Sequence, residues 1–143
     1  MPRTKLDLPA SFDFATELEV RVGDVNYGGH LGHDALLSLV HEARLRFLAG
    51  HGFSEEDAGG PGLILADLVV VYRAEAFRGD RLLVEIAACN PGRTGFDLFY
   101  RLSKIPAGEE VARVKTSMVF FDYGARRVAA MPESFRSFFT SQE

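Results

Sequence analysis

Residues 24–34 read Asp-Val-Asn-Tyr-Gly-Gly-His-Leu-Gly-His-Asp. Two carboxylates, one amide and two imidazoles fall within this short stretch, separated by glycines. An apolar run from Ala35 to Leu48 follows directly and predicts a helix. The polar groups therefore gather where a loop enters a helix. The first-turn N–H groups of a helix have no partner within it and mark the positive end of its macrodipole. Such an end can hold a phosphate, or a carbonyl oxygen that becomes negative during reaction. Gly28, Gly29 and Gly32 let a ligand approach that backbone closely. His41 and His51 fall in or just after the same helix, so the imidazole chemistry of the chain is concentrated here.

The elements around this stretch follow from periodicity. Phe12, Phe14, Thr16, Leu18, Val20 and Val22 alternate with Asp13, Glu17, Glu19 and Arg21, a strand with one wet face. The helix keeps only a narrow polar stripe of Ser38, His41, Glu42, Arg44 and Arg46, the pattern of a helix surrounded by other elements. Gly50 and Gly52 end it, and residues 54–61 read as a loop. Strands are then expected over 63–77, 81–89, 96–103 and 111–121, joined by turns at 78–80, 90–92 and 106–108, with a short amphipathic helix at 133–139. One long helix against about five antiparallel strands is an α+β arrangement in a single domain, residues 1–143. Its two sheet edges favour pairing with a second copy.

Composition narrows the function. A net charge of −4 without a basic stripe argues against nucleic acid. No apolar run approaches the roughly 20 residues of a membrane span, and the first residues lack the apolar core of a signal peptide. The lone Cys89 lies in an apolar strand pattern and reads as a small buried hydrophobe rather than a nucleophile. The expectation is a soluble cytoplasmic protein.

In element order the chain resembles the hotdog fold, a curved antiparallel sheet wrapped around one long central helix, here with a short C-terminal helix added. Asp24 to Arg44 resembles the signature of the 4-hydroxybenzoyl-CoA thioesterase-like acyl-CoA thioesterases: Asp-x-Asp, a Gly-rich turn, then a helix ending Glu-Ala-Arg. Phe77-Arg-Gly-Asp80 before a strand also resembles that family. The resemblance implies hydrolysis of an acyl thioester to free acid and CoA. It implies no cofactor beyond the CoA of the substrate, and a homodimer or dimer of dimers with substrate entering between two chains. The family's second Asp falls on Asn26, a neutral amide that cannot take a proton but can orient water or hold a carbonyl oxygen. His33 matches a helix-start histidine of some members and is the first candidate base, since imidazoles as a class titrate near neutral pH. Asp34 beside it would orient His33 or act itself. Asp67 interrupts an apolar strand, where a carboxylate needs partners or a raised pKa, and the hotdog dimer would bring it near the partner's loop-to-helix junction. Asp24, Tyr27, Gly29, His30 and Gly32 are the expected substrate contacts, with the carbonyl oxygen on the N–H groups of about Gly32 and His33. The helix flank and the long second strand would line an acyl tunnel.

Competing readings are plainer. Asp24 serves as a turn residue, Asp34 as a helix cap, Asp67 as a structural acid and His51 as a cap of the helix C-terminus. His41 and Glu42 are expected in solvent or in ion pairs with Arg44 or Arg46. Tyr72, Phe96 and Tyr100 are expected in the core. The histidine spacing fits no strong zinc pattern, so no metal is expected. Gly23-Asp24-Val-Asn26 with His30 also resembles the motif of hotdog enoyl-CoA hydratases, which would use Asp24 and His30 as an acid–base pair. A non-catalytic acyl-thioester binding module is the third reading.

Overall fold

Alternating side chains sort the chain into a one-sided sheet. The computed structural model describes residues 2–140. After a short strand β1 (Phe14–Glu19) come a 3-10 turn (Val22–Asp24) and helix α1 (His33–Gly50). Then follow β2 (Gly62–Tyr72), β3 (Arg81–Cys89), β4 (Gly95–Ile105), β5 (Glu110–Asp122), β6 (Arg127–Val128) and helix α2 (Glu133–Thr140). The strands form one antiparallel sheet in the order β1-β3-β4-β5-β2, with the two-residue β6 added on β5. This is the α+β arrangement expected; β6 has no counterpart in the alternation pattern because it is too short to show a period.

The core lies between one face of the sheet and α1. Phe96, Leu98, Tyr100 and Leu102 of β4, and Ala112, Val114, Met118 and Phe120 of β5, are buried with Leu36, Leu39, Val40, Ala43, Phe47 and Leu48 of α1. Each large apolar side chain so buried contributes about 1.5–3 kcal/mol, and this burial holds α1 in place. Helix α2 closes the far end with Phe135, Phe138 and Phe139 against Phe47, Phe96 and Phe120. His51 caps α1 as expected, but through its backbone N–H to the carbonyls of Ala49 and Leu48; its ring packs edge-on against Phe47 and Phe138.

One charged side chain enters this core. Arg44 is 8% exposed. Its Nε donates to Glu55 Oε2 at 2.7 Å and its Nη1 to Tyr100 Oη at 3.3 Å, while Tyr100 Oη lies 2.8 Å from Thr116 Oγ1. His41 reaches the other oxygen of Glu55 at 2.7 Å. Glu42 pairs with Arg46, as the helical spacing predicts.

Two boundaries shift in a way that matters for function. Helix α1 begins at His33 rather than Ala35, so His33 and Asp34 lie in its first turn. Strand β2 ends at Tyr72 rather than Phe77. The backbone N–H groups of Arg73 and Ala74 both donate to the Val111 carbonyl, which ends the ladder. The chain then crosses to residues 30–31, where His30 bridges Phe77 and the Leu31 N–H donates to the Ala76 carbonyl at 2.8 Å.

Candidate active site

The loop ahead of α1 is folded by its own polar groups. The Asn26 N–H donates to the His30 carbonyl, the Gly29 N–H to the Asn26 carbonyl, and the Gly28 N–H to Asn26 Oδ1, each at 2.9 Å. Gly29 has φ +81°, a conformation that favours glycine. A backbone N–H only donates, so this turn fixes Oδ1 of Asn26 as the acceptor and leaves its Nδ2 hydrogens for other work. The amide lies beside the start of α1: a Cβ at Gly32 would stand 3.7 Å from Asn26 Cβ and 2.9 Å from Asp34 Oδ1.

The start of α1 is bare. Its N-cap is Gly32, which contributes no side-chain cap. The Gly32 N–H, expected to hold a carbonyl oxygen, is already spent on the Asp24 carbonyl at 3.0 Å. The Ala35 N–H is taken by Asp34 Oδ1 at 2.9 Å and the Leu36 N–H by the Gly32 carbonyl. His33 and Asp34 keep backbone N–H groups without an acceptor among the described residues. The pair of N–H groups free to donate to a ligand oxygen is thus that of His33 and Asp34, one residue further along than the expected Gly32 and His33.

A cavity of about 720 Å³ opens at this point, within the range of small-molecule sites. Its lining combines Asn26, His30 and His33 of the loop and helix start with Tyr72, Arg73, Ala74, Glu75 and Ala76 of the segment that runs beside them, and Leu31, Leu36 and Val111 are its apolar part. Nδ1 of His30 is 3.3 Å from the Leu31 carbonyl, which can only accept, so the neutral ring keeps its lone pair on Nε2. His33 is exposed and has no orienting hydrogen bond among the described residues. Burial, and then the Asp34 charge, push the Tyr72 hydroxyl up, so it remains a donor at neutral pH.

Three predicted residues lie elsewhere. Asp24 is buried but does not line the cavity. Its carboxylate accepts from the Arg21 backbone N–H at 2.8 Å, from Nε at 3.2 Å and from Nη2 at 3.3 Å. Burial pushes its pKa up, but these hydrogen bonds and the guanidinium charge outweigh that and hold it below the usual carboxylate range. An Asp24–His30 acid–base pair is therefore not formed, and the hydratase reading loses its acid. Tyr27 is fully exposed at the loop tip, away from the cavity wall. Asp67 is exposed on the outer face of β2, paired with Lys115 Nζ at 2.9 Å. That hydrogen bond lowers its pKa, so of the two outcomes expected for a carboxylate here, partners or a raised pKa, the first is found. The register shifts between Leu65 and Asp67, and residues 65–68 of this edge strand are exposed.

Tyr72 was expected in the core but is a cavity-wall residue, whereas Phe96 and Tyr100 are buried as expected. Glu75 was not singled out at all. Cys89 is half-buried and its thiol is pushed up, first by burial and then by Asp13 and Asp97, which suits an unreactive side chain. Among the described residues no cluster of His, Cys, Asp or Glu is placed to hold a metal ion, and no helix is long and apolar enough to cross a membrane.

Known proteins of similar sequence and shape carry the same arrangement of elements. The chain is 29% identical over 125 residues to a 1,4-dihydroxy-2-naphthoyl-CoA hydrolase of Synechococcus elongatus, covering 85% of this chain and 90% of that protein. The crystal structure of a 1,4-dihydroxy-2-naphthoyl-CoA thioesterase from Synechocystis superposes with a TM-score of 0.79 at 25% identity, over 87% of this chain and 93% of that one. A thioesterase-superfamily structure from Jannaschia gives a TM-score of 0.82 at 23% identity, over 94% and 85% of the two chains, and shows the hotdog fold. The profile of the thioesterase-like superfamily matches residues 20–139, and the chain belongs to that superfamily.

Proposed function

We propose that the chain hydrolyses an acyl-CoA thioester in this cavity, with an aromatic acyl group as the first substrate class to test. The observation that carries the reading is the bare first turn of α1: two unpaired N–H groups, at His33 and Asp34, flanked by the Asn26 amide at the wall of a cavity with an apolar side. The thioester carbonyl oxygen becomes negative when water adds to it, and donors fixed in advance stabilise that charge. Asn26 Nδ2 supplies a third donor, to the same oxygen or to the attacking water. Beside Arg73 the cavity is lined by the titratable groups His30, His33, Glu75 and Tyr72; the Tyr72 hydroxyl keeps its proton, and one of the other three takes the water proton. The fused aromatic acid in the names of the Synechococcus and Synechocystis relatives supports an aryl thioester, and a cavity of about 720 Å³ has room for one.

The active form we infer is a homodimer or a dimer of dimers. Strand β2 is an edge of the sheet, eleven residues long, and exposes Leu65 and Leu68. Such an edge favours pairing with a second copy, which light scattering would show as a doubled or fourfold mass. The activity is tested by thiol release, read with a thiol-trapping dye, from acetyl- to palmitoyl-CoA and from benzoyl- and naphthoyl-type CoA thioesters. Release that is fastest with the aryl thioesters is the expected result. Tight binding of these thioesters without release would make the chain a binding module, and hydration of crotonyl-CoA without release would make it a hydratase.

A further inference from the structure

We propose that Glu75 is the group that takes the proton from the attacking water; this rests on the thioester-hydrolysis reading above. Among the described residues Glu75 is the only carboxylate on the cavity wall. Its side chain is exposed and has no hydrogen bond or ion pair within the described residues, whereas Asp24, Asp34, Glu55 and Asp67 are all engaged. The backbone that carries it is held at both ends. Arg73 and Ala74 are tied to the Val111 carbonyl, and Ala76 and Phe77 to Leu31 and His30. The Leu31–Ala76 hydrogen bond joins the residue before the N-cap Gly32 to the residue after Glu75, so the two segments run side by side at the start of α1. A carboxylate without a partner among the described residues, on a fixed backbone, therefore lines the same cavity as the donors of the helix start.

The division of labour follows from hydrogen-bonding capacity. An ionised carboxylate only accepts, and the backbone N–H groups only donate. The carboxylate is suited to hold water by its proton, and the N–H groups to hold the carbonyl oxygen. Water oxygen bonds to the thioester carbon as one of its protons passes to Glu75. The oxyanion is held by the N–H groups of His33 and Asp34 with Asn26 Nδ2. Collapse breaks the C–S bond, and the departing thiolate takes the proton from Glu75, giving carboxylic acid and thiol. His30, whose ring is held on the Leu31 carbonyl through Nδ1, and His33, which like Glu75 has no side-chain partner among the described residues, are the competing acceptors that the variants below separate from Glu75. The charged and titratable groups that share the cavity lining with Glu75 are Arg73 on its own segment, Tyr72 at the end of β2, and His30 and His33 of the loop and helix start, with Asp34 close enough to act on the Tyr72 hydroxyl.

The test is steady-state kinetics of Glu75→Gln with the best aryl-CoA thioester, with thermal melting to confirm folding. A fall in kcat of about 100-fold or more, the usual size of a general-base contribution, is expected with KM nearly unchanged. The acid limb of the wild-type pH–rate profile should flatten in this variant and persist in His30→Ala and His33→Ala. In a Glu75→Ala variant, added formate supplies a free carboxylate to the cavity. Recovery of about tenfold in turnover there would tie the loss to the missing proton acceptor. A folded Glu75→Gln enzyme with wild-type kcat, or with its loss confined to KM, overturns the assignment while thioester hydrolysis stands. A wild-type protein that releases no thiol from any thioester overturns both.

Discussion

The Arg44 cluster and the cavity wall contain similar side chains under opposite conditions. In the core, Arg44, Glu55, Tyr100 and Thr116, with the half-exposed His41 at the rim, use one another's donors and acceptors, and no buried side-chain N or O atom of the described residues lacks a partner. At the cavity, Asn26 Nδ2, the N–H groups of His33 and Asp34, and the Glu75 carboxylate have none among the described residues. A buried polar group without a partner costs free energy, so the core cluster must be complete for the chain to fold. The cavity groups face solvent, where being unpaired costs little and leaves them available to a substrate. Full pairing marks the part built for stability, and idle donors and acceptors mark the part built for chemistry.

The sharpest way to break that contrast is to remove one idle donor. Asn26→Ala is expected to lower kcat by about 100-fold, the effect of losing one oxyanion donor, with the melting temperature nearly unchanged. Asn26→Asp keeps the acceptor for the Gly28 N–H and should turn over faster than Asn26→Ala. Wild-type turnover in Asn26→Ala would remove the amide from the mechanism.

The same surgery in the core should do the reverse. Arg44→Ala leaves the half-buried Glu55 carboxylate and the buried Tyr100 hydroxyl short of a partner, and is expected to cost about 3 kcal/mol in urea unfolding. The folded fraction should keep kcat within a few-fold. A stable Arg44→Ala protein with lost turnover would invert the assignment of the two clusters.

Acid should probe the core cluster selectively. Burial pushes the Glu55 carboxyl up, but hydrogen bonds from Arg44 and His41, and their charges, outweigh it and leave its pKa lowered. A group lowered on folding stabilises the native state above its unfolded-chain pKa, about 4.3 for Glu, and loses that contribution as the pH falls through the folded value. The stability difference between wild type and Glu55→Gln should therefore be largest near neutrality and shrink below about pH 4. A constant difference between pH 7 and pH 3 in urea melts would place the effect in packing instead of charge.

The two regions also differ in how legible they are. Alternation in 96–103 and 111–121 and the long apolar run after Asp34 suffice to read the sheet, the central helix and the loop-to-helix junction, because burial imposes those periods. Asn26 and His33 were found because they lie at that junction. Glu75 was missed because 63–77 reads as one continuous strand. The strand ends at Tyr72 only because two N–H groups converge on Val111, a partner 37 or 38 positions away. Asp24 looked like chemistry because its capping by Arg21 depends on a 3-10 turn with no periodic signature. The neighbours of Asp67 are as apolar as a core strand, yet the sheet order makes β2 an edge.

That edge supplies the smallest expected effect. Asp67 and Lys115 form an exposed pair beside Ser117 and Asp97, on the face of the sheet opposite α1. Exposed pairs contribute about 0–1 kcal/mol. Asp67→Asn should shift urea unfolding within that range and leave turnover at the wild-type level. Its side chain leaves β2 at a position facing Ser117, whereas Thr116 and Met118, the neighbours of Ser117 on β5, are buried toward the helix. The cavity lies on the helix side, so within one chain Asp67 has no route to the reacting atoms. A loss of turnover in a folded Asp67→Asn protein would have to come from a second copy placing that face against its own helix start. The same variant in the monomer, isolated by a charge introduced at Leu68, would then show no further loss.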